Sequence, residues 1–320
     1  MRTLQSTLLE NMKARFLLTM TNLKQVQVQF GANIEPLASD PRLPIQMAQR
    51  LEQAGLDYIS VPDHPYSAGF FDAFTLLAAM VQATSRVHVF SNVANVPLRL
   101  PTVLAKTVAS LDVLSGGRVE FGLGAGAFWA EIEGMGGQVR TPAQAVAALE
   151  EAIQIIRCFW QKNALYTFDG QYYPIKGVIP GPPPAHAIGI WLGAIQPRML
   201  ELTGRLADGW LPSSMFVPAE SLPEKQKRID EAALAAGRQP SDIKRIYNVM
   251  GHIAADGPVE GFLSGPIDYW VDELTRLVVE VGMDTFIYWP GADHLNQLLL
   301  FSEEVAPRVR EEVDRARVTA

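Results

Sequence analysis

The sequence predicts an α/β chain, a closed (β/α)8 TIM barrel, and three observations carry the prediction. Four apolar segments begin at residues 26, 57, 87 and 119, so successive starts are 31, 30 and 32 residues apart. Amphipathic helical segments lie between them, and four further strand–helix pairs follow with no break in composition. A repeating strand–helix unit of about 30 residues is the βαβ signature, whose right-handed crossover yields a parallel sheet. Eight such units favour closure into a barrel over the alternative, a doubly wound open sheet.

The strands of the first half read "VQVQFGA", "DYISVP", "VHVFSNV" and "VEFGLG". In "LPIQMAQRLEQAG", Ile45, Ala48 and Leu51 share one helical face, and Gly55 ends the pattern. In "PTVLAKTVASLDVLSGG", Leu104, Val108, Leu111 and Leu114 do the same before Gly116 and Gly117; glycine there supplies the left-handed residue that closes a helix. The longest helix opens at Thr141-Pro142 with Gln144 three residues on, a capping box with proline at the first helical position. Its buried stripe is Val146, Leu149, Ile153, Ile156 and Trp160. "YTFDGQYYPIKGVIPGPPPAH" then predicts a short hairpin about Asp169-Gly170 and a proline-rich stretch that cannot be helical. This segment, about residues 162–188, reads as an insertion between strands four and five. The rhythm resumes with "IGIWLGA", "DGWLPS", "KRIYNVMGHI" and "DTFIYWP", each followed by a helix.

The domain prediction is a loose extension at residues 1–24 and one barrel domain over 25–320. "FLLTM" is too short for a secretory core, and no apolar run reaches the roughly 18 residues of a membrane span. A net charge of −7 on 320 residues argues against nucleic acid and anionic membranes as partners. The lone Cys158 excludes an intrachain disulfide, suits a reducing cytoplasm and reads as a small apolar residue in its helix.

TIM-barrel chemistry gathers at the C-terminal ends of the strands. Those positions carry Asp63-His64, Asn92-Val93, Gly124 to Gly126 with Phe128-Trp129, Gly193-Ala194, Trp210 and Trp289. Amides, glycines, aromatics and few charges suit a large planar ligand. His64 has two readings of equal standing: a proton donor or acceptor, or a packed imidazole beside a capping Asp63. The five histidines show no metal-binding spacing, which argues against a zinc hydrolase, so no metal is expected. "GLGAGA" formally matches a dinucleotide fingerprint but follows the wrong strand for one; it reads as a loop flattened to admit a ring, or as a packing turn. In "WLGAIQPRMLELTGRLADGW" a strand runs into a helix near Pro197, whose free backbone N–H groups suit an anion or phosphate. A plain βα loop is the alternative there.

Taken together, "GLDYISVPDH", "PLRLPTVLAKTVASLDVLSGGRVEFGLGAG", "PGPPPAHAIGIWLGA", "RMLELTGRLADGW" and "GMDTFIYWP" resemble the bacterial luciferase-like superfamily of flavin- and deazaflavin-dependent oxidoreductases, over about Val26 to Val309. The resemblance implies the deazaflavin coenzyme F-420, or FMN, lying across the strand ends, and two-electron hydride transfer to or from a small organic substrate. It implies Asp63 and His64 as catalytic residues, His64 being the proton donor. For cofactor binding it implies Asn92 and Val93, where relatives hold a non-prolyl cis peptide, with Gly124 and Gly126 at the ring. Gly193, Ala194, Ile195, Gln196 and Pro197 correspond to the phosphate turn. It further implies a homodimer and a separate flavin or deazaflavin reductase as partner.

Some deazaflavin sugar-phosphate dehydrogenases carry a glutamate where this chain has Ala127, the nearest acid being Glu131, so sugar-phosphate specificity does not transfer. Phe128, Trp129, Trp210 and Trp289 suggest a less polar substrate, although each suits a core equally well. The deazaflavin is favoured over FMN, which with dioxygen would make the protein a monooxygenase. A flavin-binding barrel without turnover is the reading of another class.

Overall fold

A computed structural model of the chain describes residues 27–161 and 164–319. The strands are β1 (Gln29–Asn33), β2 (Tyr58–Val61), β3 (His88–Asn95), β4 (Val119–Gly124), β5 (Tyr166–Phe168), β6 (Ile175–Val178), β7 (Ile190–Leu192), β8 (Gly209–Trp210), β9 (Lys244–Ala254), β10 (Ser264–Pro266) and β11 (Thr285–Pro290). Eight of them pair in parallel in the order β1-β2-β3-β4-β7-β8-β9-β11, and β11 returns to β1. The barrel is therefore closed, which leaves its eight strands no open edge. β5 and β6 form the expected antiparallel hairpin between the fourth and fifth barrel strands. The expected extension at residues 1–24 lies outside the described residues.

The helices are α1 (Leu43–Gln53), α2 (Ala73–Ala83), α3 (Pro101–Ser115), α4 (Trp129–Gly134), α5 (Pro142–Gln161), α6 (Pro197–Leu206), α7 (Leu222–Ala235), α8 (Ile267–Arg276), α9 (His294–Leu300) and α10 (Ala306–Thr319). The capping box of α5 is formed: Thr141 N donates to Gln144 Oε1 at 3.0 Å, and Gln144 N donates to Thr141 Oγ1 at 3.3 Å. Gly116 closes α3 at φ 72° in the left-handed region. Two apolar bodies result. The larger packs the outer face of the barrel against the helices. The smaller fills the lumen with Tyr58, Phe90, Trp191, Leu211, Ile246 and Ile287, and Trp191 meets Phe90 edge-on at 4.9 Å. That plug makes the barrel a packed core rather than a pore and supplies a floor beneath the strand ends. Among the described residues no helix is long and apolar enough to cross a membrane.

Candidate active site at the strand ends

β2 delivers the first group. Pro62 ends the strand, and the two side chains that follow part company. The Asp63 carboxylate is 1% exposed and takes a two-pronged ion pair from Arg99, with Nε to Oδ2 at 2.7 Å and Nη2 to Oδ1 at 2.6 Å. The backbone N–H of Asn95 donates to the same Oδ2 at 2.9 Å. Arg99 Nη2 also reaches Asp72, the N-cap of α2, at 2.6 Å. Bidentate pairs of this kind are among the stronger, more directional polar contacts. Asp63 therefore joins the end of β2 to the end of β3 and to α2, and its oxygens are occupied. Those contacts are an anchor's, and none of them reaches His64.

His64 is half-buried, and its Nδ1 lies 2.6 Å from the Tyr66 hydroxyl. Its ring also meets Phe128 edge-on at 5.7 Å. Burial holds the imidazole below its ordinary value of 6.5, against the opposing pull of Asp63, so the neutral ring dominates at neutral pH. The Tyr66 hydroxyl is pushed up to about 12 by burial, with Glu131 and Asp63 adding to the effect, and it stays protonated.

β3 supplies the second feature. The Asn92–Val93 peptide is cis, and the pairing of β3 with β4 shifts register between Ser91 and Ala94. Val93 bulges from the ladder into space that β4 must leave open. A Cβ on Gly124 would fall 2.7 Å from Val93 Cγ2, and one on Gly122 would overlap the Ser91 carbonyl oxygen. Gly124 thus makes room for the Val93 bulge. Gly126, at φ 103°, has Pro97 and Trp129 against it and is likewise a packing position. Behind the bulge Asn92 and Asn248 exchange side-chain hydrogen bonds at 2.7 and 3.2 Å. Asn92 Nδ2 also donates to Ser60 Oγ at 3.2 Å, and Ser60 donates to Asn33 Oδ1 at 2.9 Å. This chain of amides and a hydroxyl ties the ends of β1, β2, β3 and β9 together.

The third feature is the turn from β7 into α6. Gly193 has room for a side chain, with its nearest neighbours at 3.6 Å. Ala194 is buried, and its carbonyl accepts the Trp210 indole N–H at 2.9 Å. Ile195 is half-buried and its carbonyl accepts Lys225 Nζ at 3.2 Å, while Gln196 and Pro197 are exposed. No side chain caps the N-terminus of α6, which leaves its first N–H groups and the positive end of its dipole for an anion.

The aromatics divide. Trp210, expected at the mouth, is fully buried in the barrel–helix core, where its indole N–H braces the Ala194 turn. Trp129 and Trp289 are half-buried, and Phe128 is exposed. Phe128 takes φ 39° at the N-terminus of α4, a left-handed conformation that bulky residues rarely adopt and that clusters at functional sites. Among the described residues no group of three or more His, Cys, Asp or Glu could hold a metal ion. Sequence reading missed Tyr66, Arg99, Ser60 and Asn248 as parts of the site. Tyr66 stands two residues beyond His64, the one signal available; Asn248 has none, because its partner is 156 residues away.

Residues 25–257 match the profile described as luciferase-like monooxygenase. The chain belongs to the luciferase-like monooxygenase family. Among curated proteins it is 29% identical to an F-420-dependent glucose-6-phosphate dehydrogenase of Kribbella flavida, over 70% of this chain and 68% of that protein. It is 24% identical to one of Microbacterium testaceum over 89% of this chain and 98% of that protein. It is 33% identical to a phthiodiolone/phenolphthiodiolone dimycocerosates ketoreductase of Mycobacterium bovis, over 50% of this chain and 41% of that protein. In fold it resembles an F-420-dependent secondary alcohol dehydrogenase (TM-score 0.79, 19% identity, 88% of this chain and 99% of that one). It also resembles a long-chain alkane monooxygenase (TM-score 0.75, 14% identity, 89% and 92%). Family membership makes the chain an oxidoreductase.

A flavin-type cofactor suits the residues present on two grounds. The Val93 bulge and the open Gly193 face border a cradle that a side chain at Gly193 would enter. In addition, Asn33 Nδ2 and Asn95 Oδ1, at the ends of β1 and β3, are buried without a protein partner. A buried amide left unsatisfied costs about 1–3 kcal/mol, so a polar ring edge at this mouth has donors and acceptors to meet.

Proposed function

We propose that the protein is an F-420-dependent oxidoreductase that interconverts an apolar secondary alcohol and its ketone. The observation that carries this reading is His64, kept neutral by burial and met at Nδ1 by Tyr66 on the turn after β2, the strand that pairs with the β3 strand carrying the Val93 bulge. A bound deazaflavin supplies a donor or acceptor for two electrons as hydride. Asn92 and Val93 would hold the ring, and the backbone from Gly193 to Gln196 and the α6 N-terminus would hold the phosphate. In the ketone-reducing direction His64 Nε2–H would donate to the substrate oxygen and pass it a proton as hydride reaches the carbonyl carbon, the imidazole regaining its proton from solvent. The lumen plug and the aromatic wall exclude water from below and from the β4 side.

The substrate class follows from the rim. Phe128, Met135, Met215 and Phe216, on the segments after β4 and β8, are 51% to 65% exposed. Two cations near the mouth are committed elsewhere, Arg99 to Asp63 and Asp72 and Lys225 to Ile195. Ala127 leaves no acid at the β4 turn, and Glu131 lies one helical turn on. A phosphorylated sugar has little to hold it at such a rim, whereas an alkyl chain does.

Titration of the purified protein with F-420 and with FMN, followed by absorbance and fluorescence, tests the cofactor. Preference for F-420 supports the proposal; equal affinity, or preference for FMN, sinks it and turns attention to dioxygen chemistry. Tight binding with no hydride accepted from any donor would favour a carrier. The substrate is tested by reduction of F-420 with octan-2-ol and with glucose 6-phosphate, where faster turnover of the sugar phosphate would refute the rim argument.

A further inference from the structure

We propose that Tyr66 is the positioning residue for His64, its phenol donating to Nδ1 so that the imidazole presents Nε2–H to the mouth. This deepens the proposed oxidoreductase reading and rests on it for its chemistry, but the hydrogen bond itself can be tested without cofactor or substrate. The 2.6 Å contact joins the only two polar ring groups of the turn after β2. A phenol is a better donor than acceptor, and an imidazole nitrogen without hydrogen is the stronger acceptor of the pair. The Tyr66 proton therefore goes to Nδ1, and the ring hydrogen is left on Nε2.

The partner's neutrality matters. A carboxylate on Nδ1 would stabilise the imidazolium; the one beside this ring, Asp63, is turned away into Arg99. The other acid that acts on the pair is Glu131 on α4, through Tyr66; Asp72, on the next helix, is held by the same Arg99 as Asp63. Phe128 closes the third side, 5.7 Å from His64 and 6.0 Å from Tyr66. The three rings form one wall, so the imidazole cannot swing without breaking the phenol contact. A neutral imidazole held this way polarises a substrate oxygen without first gaining a proton.

The test is nitrogen-15 NMR of the full chain labelled at histidine. Five histidines give a short spectrum, and His64→Asn assigns the signal. At pH 7.5 the native chain is expected to show His64 mostly as the Nε2–H tautomer with a hydrogen-bonded Nδ1. An Nδ1–H ring in the native chain would overturn the proposal. Tyr66→Phe is expected to move the Nδ1 signal towards that of a free imidazole while leaving the other four histidines in place. An unchanged His64 signal in that variant also overturns it. With reduced F-420 and octan-2-one, Tyr66→Phe is expected to lower kcat roughly tenfold at unchanged KM, less than the 10²–10⁴ of losing the acid itself. Failure of F-420 to bind would strike the cofactor reading alone, since the NMR result does not depend on it.

Discussion

Gly124→Ala tests how the β3 bulge is accommodated. The added Cβ would sit 2.7 Å from Val93 Cγ2, about 1 Å inside the 3.5–4.0 Å of an ordinary carbon contact. Overpacking of this size costs roughly 1–3 kcal/mol, or about 5- to 150-fold in the folded-to-unfolded ratio at 1.4 kcal/mol per decade. Val93→Ala removes the offending methyl and should itself cost no more than about 1 kcal/mol, because Val93 is only half-buried. The double variant should then be as stable as Val93→Ala alone, a coupling of about 1–3 kcal/mol that returns the whole loss from Gly124→Ala. Urea unfolding of the four proteins measures the cycle, and F-420 titration shows whether the single variant also displaces the cradle. Additive losses would mean that Gly124 is not reserved for Val93, and the argument for the bulge as the wall of the site would fall with it.

Three further outcomes are expected. Asp63→Asn should destabilise by about 3 kcal/mol, the lower end for breaking a buried pair because Arg99 keeps Asp72; a urea midpoint within error of native would refute the anchoring role. His64→Asn should cut hydride turnover by about 10²–10⁴ while leaving F-420 affinity nearly unchanged; unaltered turnover would remove His64 from the chemistry. His186 Nδ1 lies 2.7 Å from Asp112, with Nε2 3.7 Å from Glu120, and these acids raise it above the ordinary 6.5. A raised folded value adds stability that is full below pH 6.5 and lost as pH rises through the folded value. Native Tm should therefore fall across that window relative to His186→Gln, and parallel Tm curves would contradict it.

Periodicity along the chain sufficed for the barrel. Strand starts about 30 residues apart, glycine-closed helices and the Thr141–Gln144 box are local signals, and local signals survive in one dimension. The repeat required a helix after β2, but its residues could not be picked out, because "AFTLLAAMVQA" is buried on nearly every side and carries little amphipathic period. α4, six residues long, is too short for a period to register. At the site, His64 and the glycine turns were legible as residue types at strand ends. Their roles were not, because those depend on neighbours far away in sequence. Asp63 looked as chemical as His64 until Arg99, 36 residues on, took both its oxygens. Trp210 looked like a mouth residue until closure of β7 against β8 buried it.

The sequence by itself determined the eightfold repeat, the inserted hairpin and the strand ends where chemistry could gather. Which of those residues face a ligand was decided only when the barrel closed. Closure brings Asn248 to Asn92, presses Val93 into the space of Gly124, and sets Phe128 against His64 and Tyr66. These are contacts between strands and loops that chain order separates, and close packing settles such contacts where local propensity cannot.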